Sequence, residues 1–157
     1  MVRRGGDKEV ERAPHALVID ASATIKWFVP EDDTEKAVRL RRKHIEGQID
    51  LFAPDLLVYE VANALRYRPD LTEEALKEDV SALFALDLEL VVPSSDIIAK
   101  AAARARELGV TVYDSIYLAL AETIGSYVVT ADERLYERAE RTRLVWLLRD
   151  LDEKWMV

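Results

Sequence analysis

Short apolar runs alternate with longer helical patterns along nearly the whole chain, and this alternation constrains the fold more than any other feature. Each run is bounded by residues that start helices or turns, a pattern typical of short buried strands. The runs are ALVID at 16–20, DLFAP at 50–54, LELVVP at 88–93, SYVVTAD at 126–132 and LVWLL at 144–148. Strands that alternate with helices predict an α/β fold: a three-layer α/β/α sandwich with a central, mostly parallel sheet.

Capping residues and helix breakers set the boundaries of the predicted helices. Pro30 ends a helix that begins near Ser22, and Thr72 begins another that has acids in its first turn. Ser94 or Ser95 begins a helix that the pair Leu108-Gly109 closes. Helical spacing predicts that one face of this last helix is buried, formed by Ile98, Ala101, Ala102, Ala105 and Leu108.

The length of 157 residues fits one domain, and the composition excludes several kinds of chemistry. Without cysteine, the chain forms no disulfide, thiolate nucleophile or cysteine zinc site. A GxGxxG motif and a GxxxxGK[ST] loop are both missing from the sequence, which disfavours those two routes of nucleotide binding. Residues 1–14 are polar and charged, so we expect a mobile leader followed by a single domain over residues 15–157.

The sequence also predicts where the protein is located. No window of the sequence is apolar enough for a membrane span, and the first residues lack the apolar core of a signal peptide. We therefore expect a cytoplasmic protein with no membrane contact. The chain has only one Asn and one Gln among many Glu, Arg and Lys, a composition that resembles that of thermophile proteins.

Two carboxylates stand directly after predicted strands. Asp20 follows the apolar run Leu17-Val18-Ile19, and Asp132 holds the matching place after the run at 127–131. Each acid could simply cap the helix that follows. Parallel strands, however, present their carboxyl ends at one edge of the sheet, where α/β proteins place their chemistry. We therefore expect the two acids to converge.

Two further acids stand on predicted helices. Glu60 lies among apolar neighbours in the segment DLLVYEVANAL, where burial is costly unless the carboxylate is paired or bound to a metal. Asn63 shares its face, three residues later. Asp114 opens the helix YDSIYLALAE, a position at which an acid is also a common first-turn residue. A solvent-facing stripe remains the alternative for Glu60.

Four carboxylates gathered without a cation would repel one another. At about 4 Å and an effective dielectric near 20, one pair costs roughly 4 kcal/mol. Such a cluster persists by sharing protons or by binding a divalent ion. Oxygen-only ligands suit Mg²⁺ or Mn²⁺, which can orient a phosphodiester and lower the pKa of water.

The order of these acids resembles the acidic quartet of the PIN-domain ribonucleases, and most closely that of the VapC-type toxins of prokaryotic toxin–antitoxin pairs. The resemblance runs from about Ala16 to Leu148 and rests on VIDASATIKWF, PDLLVYEVANAL, TVYDSIYLALAE and VVTADERL. It implies a PIN-like fold and hydrolysis of RNA phosphodiester bonds that depends on Mg²⁺ or Mn²⁺. The catalytic and metal-binding residues that it implies are Asp20, Glu60, Asp114 and Asp132.

The resemblance also implies roles for neighbouring residues and partners. Thr130 matches a hydroxyl position that orients the first acid or a water, and Asn63 matches a polar neighbour of the helix acid. Ser22 could act as Thr130 does, or could cap the helix after the first strand; with Asp20 assigned to the metal, we expect Ser22 to supply the cap. Family members usually form homodimers, and a small VapB-type antitoxin places its tail in the active-site groove.

Other functions and other contacts remain open from the residues alone. A non-catalytic PIN-like module that binds RNA or protein would keep the fold without the chemistry. A receiver domain or a haloacid-dehalogenase-like phosphatase needs a second acid close to Asp20, which the run Asp20-Ala21-Ser22 lacks. The basic segment at 39–44 and the residues Arg66, Arg68, Arg134 and Arg138 are candidate phosphate contacts, although a formal net charge of −8 argues against a uniformly basic surface.

Overall fold

The computed structural model describes residues 15–152, and this part of the chain folds around a five-stranded sheet in which every pairing is parallel. The order of the strands across the sheet is β3-β2-β1-β4-β5. The strands are β1 (Ala16–Ile19), β2 (Asp50–Pro54), β3 (Glu89–Val91), β4 (Val128–Thr130) and β5 (Val145–Leu147). Each coincides with one of the apolar runs, so the predicted parallel sheet is confirmed.

Helices cover both faces of this sheet and complete the predicted three-layer sandwich. α6 packs on β1, β2 and β4, and it also packs along α5; α7 packs on β4 and β5. The α-helices are α1 (Ala21–Thr24), α2 (Thr34–Ile45), α3 (Leu56–Leu65), α4 (Glu73–Ala85), α5 (Ser95–Leu108), α6 (Val112–Ile124) and α7 (Glu133–Ala139).

The strand order places a topological switch point between β1 and β4. The chain builds the sheet outward from β1 through β2 to β3, and then returns to add β4 and β5 on the other side of β1. In open α/β sheets the crevice beyond the carboxyl ends of the strands at such a point is the usual ligand site. Residues that follow Ile19 of β1 and Thr130 of β4 therefore stand at the position where chemistry is expected.

The most deeply buried helix is α6. Seven consecutive residues of this helix, Ser115 to Ala121, are buried, because the sheet lies on one side of it and α5 on the other. Ser115 Oγ donates a hydrogen bond of 2.6 Å to the carbonyl oxygen of Ala101 in α5, so the hydroxyl is satisfied inside the core. α6 is thus held on two sides, and the residues in its first turns have fixed positions.

Some boundaries and faces differ from the predicted ones. In α5 the buried stripe is Ile97, Ala101, Ala105 and Leu108, whereas Ile98 is 44% exposed and Ala102 is exposed. The prediction was therefore wrong to begin the buried face at Ile98 and to include Ala102. Residues 97, 101, 105 and 108 lie one above the other on the same side of the helix. The predicted leader at 1–14 and the last residues, 153–157, lie outside the described residues.

Within residues 15–152, the structure contains no helix that is both long enough and apolar enough to cross a membrane.

Shortening a side chain of α3 should destabilise the protein on the buried face of the helix and have little effect on the exposed face. Leu57 is fully buried and Tyr59, two residues later, is 72% exposed. We expect Leu57→Ala to lower the free energy of unfolding by about 2–5 kcal/mol, because it leaves a cavity in the core. The matched variant Tyr59→Ala should change it by less than about 0.5 kcal/mol. Urea unfolding followed by circular dichroism measures both, and equal losses would contradict the placement of this helix.

Candidate active site

Asp20 lies at the centre of a network of hydroxyl groups at the switch point. It follows β1 directly and is 5% exposed. Its Oδ1 accepts hydrogen bonds from Ser22 Oγ at 2.7 Å and from the Ala23 N–H at 3.0 Å, and its Oδ2 accepts one from Thr130 Oγ1 at 2.5 Å. Both carboxylate oxygens are therefore held by neutral donors: Oδ1 by two groups of α1, and Oδ2 by the hydroxyl at the end of β4.

The prediction that Ser22 caps α1 was wrong, because Asp20 is the N-cap residue and accepts from the Ala23 N–H. Ser22 instead donates to Asp20 and accepts a hydrogen bond of 2.9 Å from the Ala131 N–H, which lies beyond β4. Thr130 Oγ1, 3.2 Å from Ser22 Oγ, also accepts from the Asp132 N–H at 3.0 Å. The two hydroxyls thus join the end of β1 to the end of β4.

Burial changes the acidity of Asp20. It raises the pKa of this carboxyl from 3.8 to about 6; the hydrogen bonds from Thr130, Ser22 and the Ala23 N–H lower the pKa, and the charge of Asp132 raises it. The loss of solvation therefore outweighs the three donors. The effect of Asp132 also shows that the two strand-end acids lie within electrostatic reach of each other, as the sequence predicted.

Asp132 has a structural task of its own, because it is the N-cap of α7. Its Oδ1 accepts from the Arg134 N–H at 2.9 Å and from the Leu135 N–H at 3.2 Å. Its Oδ2 accepts no hydrogen bond from residues 15–152. The carboxylate is exposed, so one oxygen positions the helix while the other faces the solvent side of the site.

The two acids on helices form a second group around a tyrosine. Tyr117 Oη, on α6, donates a hydrogen bond of 2.5 Å to Glu60 Oε1, on α3. Burial raises the pKa of Glu60, the Tyr117 hydrogen bond lowers it, and the charge of Asp114 raises it. Asp114 itself lies in the first turn of α6, where its N–H donates to the N-cap Thr111 Oγ1 at 3.1 Å. Glu60 and Asp114 are therefore neighbours.

Tyr117 is the functional residue that sequence reasoning missed, because an aromatic at helical spacing is usually core. It is 2% exposed, and its pKa is raised by burial, by Glu60 and by the charges of Asp20 and Asp114. The phenol is thus a neutral donor close to three of the four acids. Its place three residues after Asp114 on α6 is the signal that could have found it.

Asn63 and Lys26 do not join the acids. Asn63 Oδ1 accepts from Arg66 Nε at 2.7 Å on the exposed surface. Lys26 is buried and binds Glu31 Oε2 at 3.1 Å and the carbonyl oxygen of Asp32 at 2.7 Å, which fixes the loop after α1. The expected role of Asn63 beside Glu60 therefore stays a prediction, with its side chain turned to an arginine.

The oxygen ligands that these four acids supply suit a hard divalent cation, although the side chains do not form a closed group around one. In the described part of the chain, no three Asp, Glu or His side chains stand together as a metal-holding group. No Lys, Arg or His among residues 15–152 forms an ion pair with Asp20, Glu60, Asp114 or Asp132. Three of the four acids are partly or fully buried, and carboxylate oxygens without a cation partner are the ligands that Mg²⁺ and Mn²⁺ prefer.

Comparison with known proteins places this fold and site in a family. The family model of the PIN domain matches residues 17–141. The chain is 38% identical over 126 residues to Ribonuclease VapC3 of Pyrobaculum aerophilum. The aligned region covers 78% of this chain and 93% of that protein. The chain therefore belongs to the PIN-domain family.

Solved structures agree with this fold. The crystal structure of PAE2754 from Pyrobaculum aerophilum superposes with a TM-score of 0.62 at 24% identity, over 85% of this chain and 92% of that one. A toxin–antitoxin complex from Klebsiella pneumoniae gives a TM-score of 0.63 at 17% identity, over 86% and 99% of the two chains. At these identities the likeness shows the fold alone.

Neutralising Asp20 should stabilise the metal-free protein at high pH. Because the folded-state pKa is raised from 3.8 to about 6, the native state binds the proton more tightly, and stability falls as pH rises through that range. Asp20→Asn should therefore raise the free energy of unfolding at pH 8 in chelator by at most about 3 kcal/mol, with no gain below pH 4. Urea unfolding at both pH values measures it; a loss at pH 8 would contradict it.

Removing the Tyr117 hydroxyl should make Glu60 less acidic. Tyr117→Phe deletes the side-chain hydrogen bond that lowers the pKa of Glu60, so that pKa should rise further. Carboxyl-carbon NMR titration of the metal-free protein measures the shift. Tyr136→Phe, a half-buried tyrosine on α7, is the matched control and should leave Glu60 unchanged. An unchanged Glu60 in Tyr117→Phe would contradict the assignment.

Proposed function

We propose that this protein is a ribonuclease of the VapC type that hydrolyses RNA phosphodiester bonds with the help of Mg²⁺ or Mn²⁺. The observation that carries the proposal is a set of four carboxylates near the switch point that form no ion pair with any Lys, Arg or His of the described residues. Hydroxyl groups hold the carboxylates of Asp20 and Glu60, and backbone N–H groups hold that of Asp132. Burial of acids without a cation is costly, so their expected use is to bind one. The 38% identity to a protein named as a ribonuclease supports the same activity.

Asp20, Glu60, Asp114 and Asp132 would hold the metal. When bound, a divalent ion would neutralise their charge, lower the pKa of water and stabilise negative charge that develops on the phosphodiester. The protein's own contribution is to keep the carboxylates ionised and oriented. Three donors on Asp20 and the Tyr117 phenol on Glu60 favour the ionised forms against the effect of burial.

Ser22, Thr130 and Tyr117 act on the reaction through the acids that they hold. Ser22 and Thr130 fix both oxygens of Asp20, so this carboxylate cannot rotate without breaking at least one hydrogen bond. Tyr117 fixes Oε1 of Glu60 and leaves Oε2 without a hydrogen bond to the described residues. Preorganised carboxylates spare the protein the cost of ordering them when the metal and RNA arrive.

The proposal extends to partners. One of the similar structures is a toxin–antitoxin complex, and this supports a small VapB-type antitoxin as the protein that restrains the activity of this chain. A homodimer is the expected assembly of the toxin. Light scattering of the purified chain, with and without a co-expressed antitoxin from the neighbouring reading frame, measures both, and a monomer that copurifies with no small protein would contradict this extension.

Cleavage of RNA should depend on the metal and on the acids at the switch point. We expect the wild-type protein to cut single-stranded RNA with Mg²⁺ or Mn²⁺ and to stop in chelator. Asp20→Asn and Asp114→Asn should each lower kcat/KM roughly 100-fold or more, since each removes a charged metal ligand. Asp50→Asn, an exposed acid at the opposite end of β2, is the matched control and should keep full activity.

Metal titration by calorimetry separates this function from a non-catalytic module that binds RNA or protein. The ribonuclease should bind Mn²⁺, and Asp20→Asn should weaken the binding. Full activity in both Asp20→Asn and Asp114→Asn would overturn the catalytic role of the acids. A protein that binds no divalent ion at millimolar concentration and cuts no RNA would favour the module.

A further inference from the structure

A cleft beside the candidate active site combines two of its acids with two arginines. It has a volume of about 490 Å³, and its lining includes Gly109, Thr111, Asp114, Asp132, Arg134 and Arg138. We call it the arginine cleft. It lies between the end of α5, the start of α6 and the face of α7, so it leads directly away from two of the carboxylates. A polymer bound at the acids would have to continue along a surface such as this one.

The two arginines are positioned together and are available to a ligand. Arg134 and Arg138 stand four residues apart on α7, which places them on one face of the helix with Cβ atoms about 5–6 Å apart. Both side chains are exposed, and neither forms an ion pair with a carboxylate in the described part of the chain. The cleft therefore carries two uncompensated positive charges next to the acids.

The Arg138 guanidinium lies close to the end of α5. A Cβ atom placed on Gly109 would stand 3.2 Å from Arg138 Nη1, so the guanidinium lies against a backbone that has no side chain. Gly109 is the left-handed C-cap of α5, and the carbonyl end of a helix attracts cations. The guanidinium therefore lies close to the end of α5, and it forms no ion pair with a carboxylate of the described residues.

Most of the other basic candidates of the sequence are already engaged. Arg66 binds Asn63 Oδ1 and stacks at 4.0 Å over the ring of Tyr67, while Arg68 pairs with Asp70 at 3.2 Å. In the basic segment at 39–44, Arg39 pairs with Glu35 at 2.9 Å, and both ring nitrogens of His44 are hydrogen-bonded inside the fold. Arg41 and Arg42 also form no ion pair in the described structure, but they do not line this cleft. Arg134 and Arg138 are thus the candidates that combine free charge with a place beside two of the acids.

We propose that the arginine cleft seats the RNA backbone, with Arg134 and Arg138 contacting phosphates next to the scissile one; this rests on the proposed ribonuclease function. An RNA strand that approaches a chain of net charge −8 through a group of carboxylates is repelled unless local cations compensate. Arginine is suited to this role, because its guanidinium binds phosphate oxygens through two parallel hydrogen bonds. The contacts are to backbone phosphates, so they position the strand and select no base.

The test is the affinity of the full chain for RNA when both charges are removed. Binding of a short, labelled single-stranded RNA of mixed sequence is measured by fluorescence anisotropy in the Asp20→Asn background, which prevents cleavage, over a range of salt. We expect the added pair Arg134→Gln and Arg138→Gln to weaken binding about tenfold at low salt. The slope of log affinity against log salt should fall in magnitude by about 1.4, which is about 0.7 for each lost phosphate contact on a single strand.

Three further measurements decide what a loss of affinity means. The pair Arg39→Gln and Arg42→Gln removes the same charge from α2 and should change affinity less than about twofold. Arg134→Lys with Arg138→Lys keeps the charge and should restore binding to within about threefold of the parent. In the otherwise wild-type enzyme, the glutamine pair should raise KM and leave kcat nearly unchanged, because the contacts lie away from the reacting phosphate.

The outcomes separate this inference from the proposed function. Wild-type protein that neither binds nor cuts RNA defeats the ribonuclease proposal and this inference together. Wild-type protein that cuts RNA, with unchanged RNA affinity in the glutamine pair, overturns only the role of the cleft. An equal loss in the α2 control pair would also overturn it, since diffuse charge would then explain the binding.

Discussion

The rest of the structure depends on the alignment of β1 with β4. The two strands pair in parallel with Ile19 opposite Val129, and the Asp20 N–H donates to the Val129 carbonyl at 3.3 Å. Ser22 and Thr130 continue this alignment beyond the strands, because their hydroxyls bind Asp20 and the backbone after β4. A slip of one residue would turn Thr130 to the other face of the sheet and leave Asp20 buried without its donor.

The hydrogen-bond partners of the acids are neutral, and this choice has a functional consequence. Hydroxyl and phenol groups stabilise an ionised carboxylate without cancelling its charge, whereas an arginine or lysine would use that charge in an ion pair. The protein therefore retains a raised pKa, about 6 for Asp20, as the cost of keeping its negative charge for a ligand. The burial of this carboxylate accordingly lowers the stability of the protein at high pH, and binding of the proposed metal would offset that loss.

The sequence could predict the features that depend on local pattern, while those that depend on packing escaped it. The parallel sheet follows from the alternation of strands and helices, and the positions of Asp20 and Asp132 follow from where the strands end. Whether Asp20 or Ser22 caps α1 is not a local question: both can do it, and the Ala131 N–H, more than one hundred residues away, engages Ser22 elsewhere. Tyr117 reaches Glu60 across 57 residues of chain because the fold brings the two helices that carry them close at this point, which no residue pattern encodes.

The four acids differ in how firmly the fold holds them, and α7 is the least constrained of their supports. Asp20 is fixed by the sheet, while Glu60 is tied by Tyr117 to the deeply buried α6. Asp132 begins a helix of only seven residues and holds it through one oxygen, so the cap of α7 and the position of the fourth acid are set by the same hydrogen bonds. Arg134 and Arg138 stand on that same helix. If the proposed metal binds the other oxygen of Asp132, it would therefore fix the arginine cleft as well, and binding of the cation would be coupled to the seating of the proposed RNA strand.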